Sequence, residues 1–324
     1  MKKFWMVLSA VVVAASLYAA NALAEGIVTV YSPSPAGLAD QIAEGFEAKY
    51  GVKVEQFQGT TGNILARLEA EAANPVADVV ILASWSDGLS YAAQDMVAEY
   101  TPENADKLVD GWFDGKLVGY SASAISVIYN TTIFPELSAD WDALADPAYK
   151  DELVMPDPAL SGSCKDFISG YIDAYGEEGW ATWEALADNG MTIPGANKAA
   201  LAAVTTGEKG ILVAGVDYNA YASIAKGEPL AQYYPASGTV INPRPAMILK
   251  TAPNMDNAKL FVDYLLSDEV QQMVVDAYLL AGRADFSYDN RATIGEITQL
   301  DCTWEDMMTI SDDCAQQLIA LCAE

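Results

Sequence analysis

The sequence predicts an α/β fold, a parallel or mixed sheet with helices on both faces, followed by further strands and helices belonging to another lobe. Three observations predict it. Short β-branched runs alternate with segments of helical periodicity from residue 27 onward. The first hundred residues read βαβαβ, and the alternation resumes after residue 150 with its own hydroxyl-and-glycine helix start.

Taken in order, 27–31 is a β-branched strand, 38–50 has helical periodicity, 52–57 alternates as a strand, 64–73 is a second helix and 77–82 a buried strand. Residues 116–120 lead through Ser121-Ala122-Ser123-Ala124 into a strand at 125–129, and a helical stretch begins at 141–144. A strand at 153–155 runs through Ser161-Gly162-Ser163 into a helix at 164–175. The buried strand 210–215 ends at Val216-Asp217-Tyr218-Asn219. An extended return segment at 237–245 carries Arg244, and helices at 257–266 and 269–277 close the fold.

Composition narrows the function. The 324 residues include 17 Lys or Arg, 45 Asp or Glu and no His, for a net charge of −28. Without histidine there is no Ser-His-Asp triad, no His-ligated zinc and no imidazole base. Scarce, scattered Lys and Arg argue against nucleic acid as a partner. With 52% hydrophobic residues the chain has material for a core, and its charge makes an acidic surface rather than a disordered chain.

Residues 1–24 read as an export signal: Lys2 and Lys3, an apolar run over 4–20, and Ala22-Leu23-Ala24 ahead of Glu25. Cleavage is expected after Ala24, giving a periplasmic product. The fading of the apolar run into small residues argues against a membrane anchor, and the missing Cys at the cleavage point against a lipoprotein. Cleavage leaves 300 residues with 15 basic against 45 acidic side chains. In an oxidising compartment the four cysteines can pair. Cys314 and Cys322 are too far apart along one helix, so Cys302 with Cys314 or Cys322 is the expected staple, and the spacings match no zinc module.

Ligands in open α/β sheets sit at the carboxyl ends of strands. Three consecutive tips there share one chemistry: Ser32-Pro33-Ser34-Pro35-Ala36-Gly37, Gly59-Thr60-Thr61-Gly62-Asn63 and Ser84-Trp85-Ser86-Asp87-Gly88. Hydroxyls and free N–H groups at helix starts make a neutral cradle for an anionic oxygen cluster. Ordinary capping and turn formation explain any one of these loops. Their recurrence on consecutive tips favours a site.

The strand into Tyr31-Ser32, the segment Phe46-Glu47-Ala48-Lys49-Tyr50-Gly51-Val52-Lys53-Val54, the step Asn74-Pro75-Val76-Ala77-Asp78-Val79 and the late helix Asn257-Ala258-Lys259-Leu260-Phe261-Val262-Asp263-Tyr264-Leu265-Leu266-Ser267 resemble the type II periplasmic solute-binding proteins of ABC importers. Within them the chain is most similar to the branch that binds ferric iron, phosphonates and hexose phosphates. The resemblance spans roughly residues 26–287. It implies a two-lobed fold with two crossover hinge strands, near 117–123 and 236–245: lobe 1 over 25–118 and 242–287, lobe 2 over 119–241, and a Cys-containing extension at 288–324. It implies capture of a solute between the lobes and delivery to a permease with its ATPase, by a monomer without cofactor or catalytic activity.

The ferric members of that branch typically use a His after the first strand, a Glu after the third and an adjacent Tyr pair. Here those positions hold the Ser34-Pro35 region, Ser84-Trp85 and Tyr218-Asn219, so the usual ferric site is absent and no metal ligands are assigned. Tyr221 and Asp217 as substitutes keep iron as the alternative. The expected solute is instead an organic anion carrying phosphate or phosphonate, such as a sugar phosphate. Ser32, Ser34, Thr60, Thr61, Gly62, Ser84, Ser121, Ser161, Gly162 and Ser163 are its expected donors, and Arg244 supplies the positive charge. Trp85, Asp217 and Tyr218 would contact the organic part, while the pair Tyr233-Tyr234 is expected to pack. Screening within about 8–10 Å lets local dipoles govern such a site in an acidic protein. An enzyme using Asp157, Asp217 and Glu228 is the remaining alternative, without paired carboxylates or an activated nucleophile to recommend it.

Overall fold

A computed structural model describes residues 26–323; the expected export signal and cleavage point lie outside the described residues. The strands are β1 (Ile27–Ser32), β2 (Lys53–Gln58), β3 (Val79–Ile81), β4 (Val118–Asn130), β5 (Leu153–Val154), β6 (Ile211–Val216), β7 (Leu230–Tyr233), β8 (Ile241–Ile248) and β9 (Leu280–Ala281). The helices are α1 (Ala36–Tyr50), α2 (Thr61–Ala70), α3 (Trp85–Ala93), α4 (Gly162–Tyr175), α5 (Glu177–Asp188), α6 (Asn197–Thr205), α7 (Asp217–Ala225), α8 (Met255–Leu265), α9 (Asp268–Asp276) and α10 (Trp304–Leu321).

In the first lobe β2, β1 and β3 run parallel, as a βαβαβ opening requires, and β8 joins β3 antiparallel. Val28, Val30, Val79 and Ile81 bury beneath α1 and α8 with Phe46, Phe261 and Val262. In the second lobe β6 pairs parallel with β5 and antiparallel with β4, while β7 adds to β4. Phe167, Trp183, Leu186, Val213 and Trp141 fill its core.

Two strands carry the chain between the lobes. The first half of β4 pairs with β8 from Val118 to Ala124, and its second half pairs with β6 and β7 from Ile125 to Asn130. This is the two-lobed type II arrangement with two crossover strands that the family resemblance implied.

The structure corrects several local expectations. Ser121-Ala122-Ser123-Ala124 is strand rather than loop, because the alternating residues pair with β8 and every residue of β4 is buried. The stretch 141–144 forms a single 3₁₀ turn, Asp142–Ala145. Tyr233 and Tyr234 pack as expected, donating to the Ala139 carbonyl at 2.8 Å and to Asp217 at 2.9 Å.

The largest correction concerns the tail. Thr303 caps α10 by accepting from the Asp306 N–H at 3.2 Å, and Met307, Ser311, Cys314, Ala315 and Leu318 bury one face. That face lies along α4 of the second lobe and reaches α3 of the first. All four cysteines are free. Cys302 precedes α10 and Cys322 follows its 18 residues. A helix of that length spans about 27 Å, so neither end can bridge to the other.

Candidate functional site

Five helices begin at one place between the lobes. The first turns of α1 and α2 approach from the first lobe, and those of α4, α6 and α7 from the second. They enclose a cleft of about 340 Å³. The local sequence explains the convergence: each helix follows a strand or loop that ends at the carboxyl edge of its sheet, where the first N–H groups lack intrahelical partners.

The caps are of two kinds. Thr60 accepts from the Asn63 N–H at 3.2 Å, and Ser161 from the Cys164 N–H at 3.3 Å. By contrast α1 and α6 start at Pro35 and Ala196 with no side-chain cap. Thr61 accepts from the Ala83 N–H at 3.1 Å, and Ser161 also donates to Asn197 at 3.1 Å. The lining is therefore rich in donors and in positive helix ends.

Arg244 on β8 supplies the central charge. It is 2% exposed, and its guanidinium makes only two long contacts, 3.5 Å to the Pro33 carbonyl and 3.4 Å to the Tyr218 hydroxyl. It lies over the Tyr218 ring, 5.3 Å from the centroid, and its Nε has no partner. The other three arginines each hold a carboxylate: Arg67 with Glu71, Arg283 with Asp268 and Asp285, and Arg291 with Asp217. Among the described residues lining the cleft, Arg244 and Lys198 are the charged ones, and no carboxylate is present.

Of the residues expected from sequence, Ser34, Thr60, Thr61, Ser161, Gly162, Tyr218 and Arg244 line this cleft. Others stand behind it. Ser32 donates to Ser34 at 2.8 Å, and Ser34 hydrogen-bonds Tyr120 at 2.7 Å, a buried chain that orients the first loop. Ser163 lies 3.3 Å from Ser161, oxygen to oxygen. Ser121 is buried on β4 without a partner for its hydroxyl. Gly62 donates its N–H to the Leu160 carbonyl at 3.3 Å across the interlobe seam.

Three expected contacts are engaged elsewhere. Ser84 and the Trp85 N–H each donate to Asp166 at 2.8 Å, and the Trp85 ring packs in a core with Tyr31, Ile64 and Leu82. Asp217 is fully buried in an ion pair with Arg291 and does not face the cleft. Burial raises its carboxyl above the usual range, against the pull of Arg291.

Asn197, Lys198 and Leu201 on α6, and Asn219 on α7, also line the cleft and were missed. The signal was faint. The α6 start carries Ala196 at its cap position, so no Ser, Thr, Asp or Asn marks it.

Comparisons with known proteins bear on the family and the fold. A family model described as "Bacterial extracellular solute-binding protein" matches residues 74–298. The chain is 26% identical over 265 residues to "Iron uptake protein A1" of Synechocystis sp., covering 75% of this chain and 72% of that protein. It is 25% identical over 274 residues to a "Putative 2-aminoethylphosphonate-binding periplasmic protein" of Salmonella typhimurium, covering 80% and 79%. In fold it is similar to the periplasmic binding protein AfuA of Actinobacillus pleuropneumoniae, solved with exogenous fructose-6-phosphate bound. That match has a TM-score of 0.82 at 23% identity and covers 91% of this chain and 97% of that one. With two lobes, two crossover strands and a donor-lined cleft between them, the chain belongs to the bacterial extracellular solute-binding proteins.

Proposed function

We propose that the solute is a small organic anion carrying a phosphate or phosphonate group, a sugar phosphate being the leading case, captured between the lobes and passed to a permease and its ATPase. One observation carries the reading: among the described residues, Arg244 is a buried cation without a carboxylate partner, in a cleft whose lining includes no acid. An uncompensated buried charge costs several kcal/mol, and an anionic solute would offset that cost. Five helix starts and the hydroxyls of Thr60, Thr61 and Ser161 support the same assignment, since phosphoryl oxygens are held well by such donors.

Ferric iron is the second reading, favoured by the relative named for iron uptake. A hard trivalent cation needs several anionic oxygens. Tyr218 is the one phenol on the lining, Tyr221 accepts from the Ala292 N–H at 3.1 Å, and Asp217 is held by Arg291. The oxyanion reading therefore has the better chemistry. Among the described residues no carboxylate lines the cleft to act as acid or base, and Asp157 accepts from the Ala159 N–H of its own loop at 2.8 Å. The reading is therefore one of binding rather than turnover.

Thermal-shift measurements with hexose phosphates, phosphonates, inorganic oxyanions and ferric citrate test the proposal. The right solute at a hundred times its Kd adds about 2.7 kcal/mol. Stabilisation by ferric salts alone, with a visible tyrosinate-to-iron band, overturns it, and turnover of a bound ester overturns the binding role.

A further inference from the structure

The third loop, which resembled a solute cradle in sequence, already holds a carboxyl group, and that group belongs to the protein. Asp166 on α4 is completely buried 80 residues downstream of the loop it meets. Its carboxylate accepts from Ser84 Oγ at 2.8 Å, from the Trp85 N–H at 2.8 Å and from Ser86 Oγ. These groups are the start of α3, so a second-lobe carboxylate caps a first-lobe helix. The next residue repeats the bridge: Lys165 Nζ stands 2.5 Å from Asp87 on α3 and 3.0 Å from Asp312 on α10. Beside them Gly62 and Gly162 let the backbones meet. A Cβ on Gly62 would fall 2.2 Å from the Ala159 carbonyl oxygen, and one on Gly162 would fall 2.8 Å from Ser84 Cβ.

We propose that Asp166 is a positioning residue for solute capture: it never touches the solute, but by capping α3 across the seam it sets how much of the protein is closed. Closure forms these bonds and opening breaks them, so any change in their strength passes directly into apparent affinity.

The seam also couples closure to protons. Burial first, and the negative Asp87 second, push the Asp166 carboxyl up to about 7, opposed by Ser86, Ser84 and Lys165. The charged and titratable groups around it are Asp87 on α3, Lys165 on its own helix, Asp312 on α10 through Lys165, and the Cys302 thiol, which Asp166 helps to raise. In the open state an exposed aspartate titrates near its ordinary value of about 4. Closure therefore takes up a proton between about pH 4 and pH 7. Its contribution is fully present below the lower value and lost as pH rises through the upper one. The closed-to-open ratio should fall roughly tenfold or more between pH 5 and pH 8.

The test needs no solute. Solution scattering of the solute-free protein at pH 5 and pH 8 is read together with hydrogen exchange at the Trp85 amide, corrected for intrinsic rates. Wild type should be more compact and more protected at Trp85 at pH 5. Asp166→Asn, which keeps the shape and one acceptor without the charge, should be compact at both values. Asp166→Ala should be open at both and lose Trp85 protection, while its core amides stay protected. If Asp166→Ala keeps wild-type dimensions and Trp85 protection, the proposal is wrong. A wild-type protein equally compact at both values, with Asp166→Asn indistinguishable from it, removes the proton coupling. Should Asp166→Ala not fold, the Asn comparison across pH decides alone.

Discussion

Arg291 and Asp217 form an ion pair at 2.6 Å with both side chains fully buried, which ties the segment after β9 to the start of α7. Arg291 also donates to the Tyr278 carbonyl at 2.6 Å, and Tyr234 donates to Asp217 at 2.9 Å, so each charge is paired and hydrogen-bonded. A residue that looked like a solute contact thus anchors the extension instead.

Breaking this pair from one side should be costly. Arg291→Met leaves a buried carboxylate without its cation and is expected to destabilise the fold by about 3–5 kcal/mol. Adding Asp217→Asn should recover a large part of that loss. Urea denaturation of the two single variants and the double variant measures the coupling, and additive losses would show that the pair is not the anchor.

Arg244→Gln should separate binding from stability. Losing a charge-assisted contact of about 2–3 kcal/mol weakens solute binding roughly 30- to 150-fold. The solute-free protein should melt no lower, because the lost cation had no carboxylate to satisfy. Calorimetry with the solute found by the thermal-shift screen reads the first effect, and a melting curve the second.

Thr61→Val keeps shape but removes a hydroxyl that lines the cleft and accepts from the Ala83 N–H. A stability loss of about 1 kcal/mol and a several-fold weaker Kd are expected. Unchanged affinity would remove Thr61 from the site and leave it a role in joining α2 to the strand tip.

Gly62→Ala probes closure itself. Alanine suits the first turn of α2 at least as well as glycine, so the solute-free melting temperature should hold. The added methyl meets the Ala159 carbonyl oxygen at 2.2 Å when the lobes are together, and backbone cannot yield cheaply. Affinity should drop tenfold or more, with a larger radius of gyration in the presence of solute.

Much of the fold could be read from local pattern. The β-branched runs that became β1, β2 and β6 and the periodic segments that became α1, α8 and α9 follow directly from burial on one or two faces. The continuity of β4 was hidden because Ser121 and Ser123 look like loop residues until β8 lies beside them. At the site, Thr60, Thr61, Ser161 and Arg244 were legible as hydroxyls at helix starts and as a lone charge in an apolar return segment. Asn197 and Lys198 were not, because their helix has no capping residue to announce it.

The sequence by itself determined the class of molecule: no histidine, few cations, alternating strands and helices, and hydroxyl-rich strand tips. Tertiary structure alone decided which of those tips face the cleft between the lobes. The loops at Thr60 and Ser161 open on the cleft, while the equally suitable loop at Ser84 is closed by Asp166. Local sequence determines how many donors a helix start exposes. Which anion reaches them depends on residues that are distant in the chain and meet only when the lobes pack.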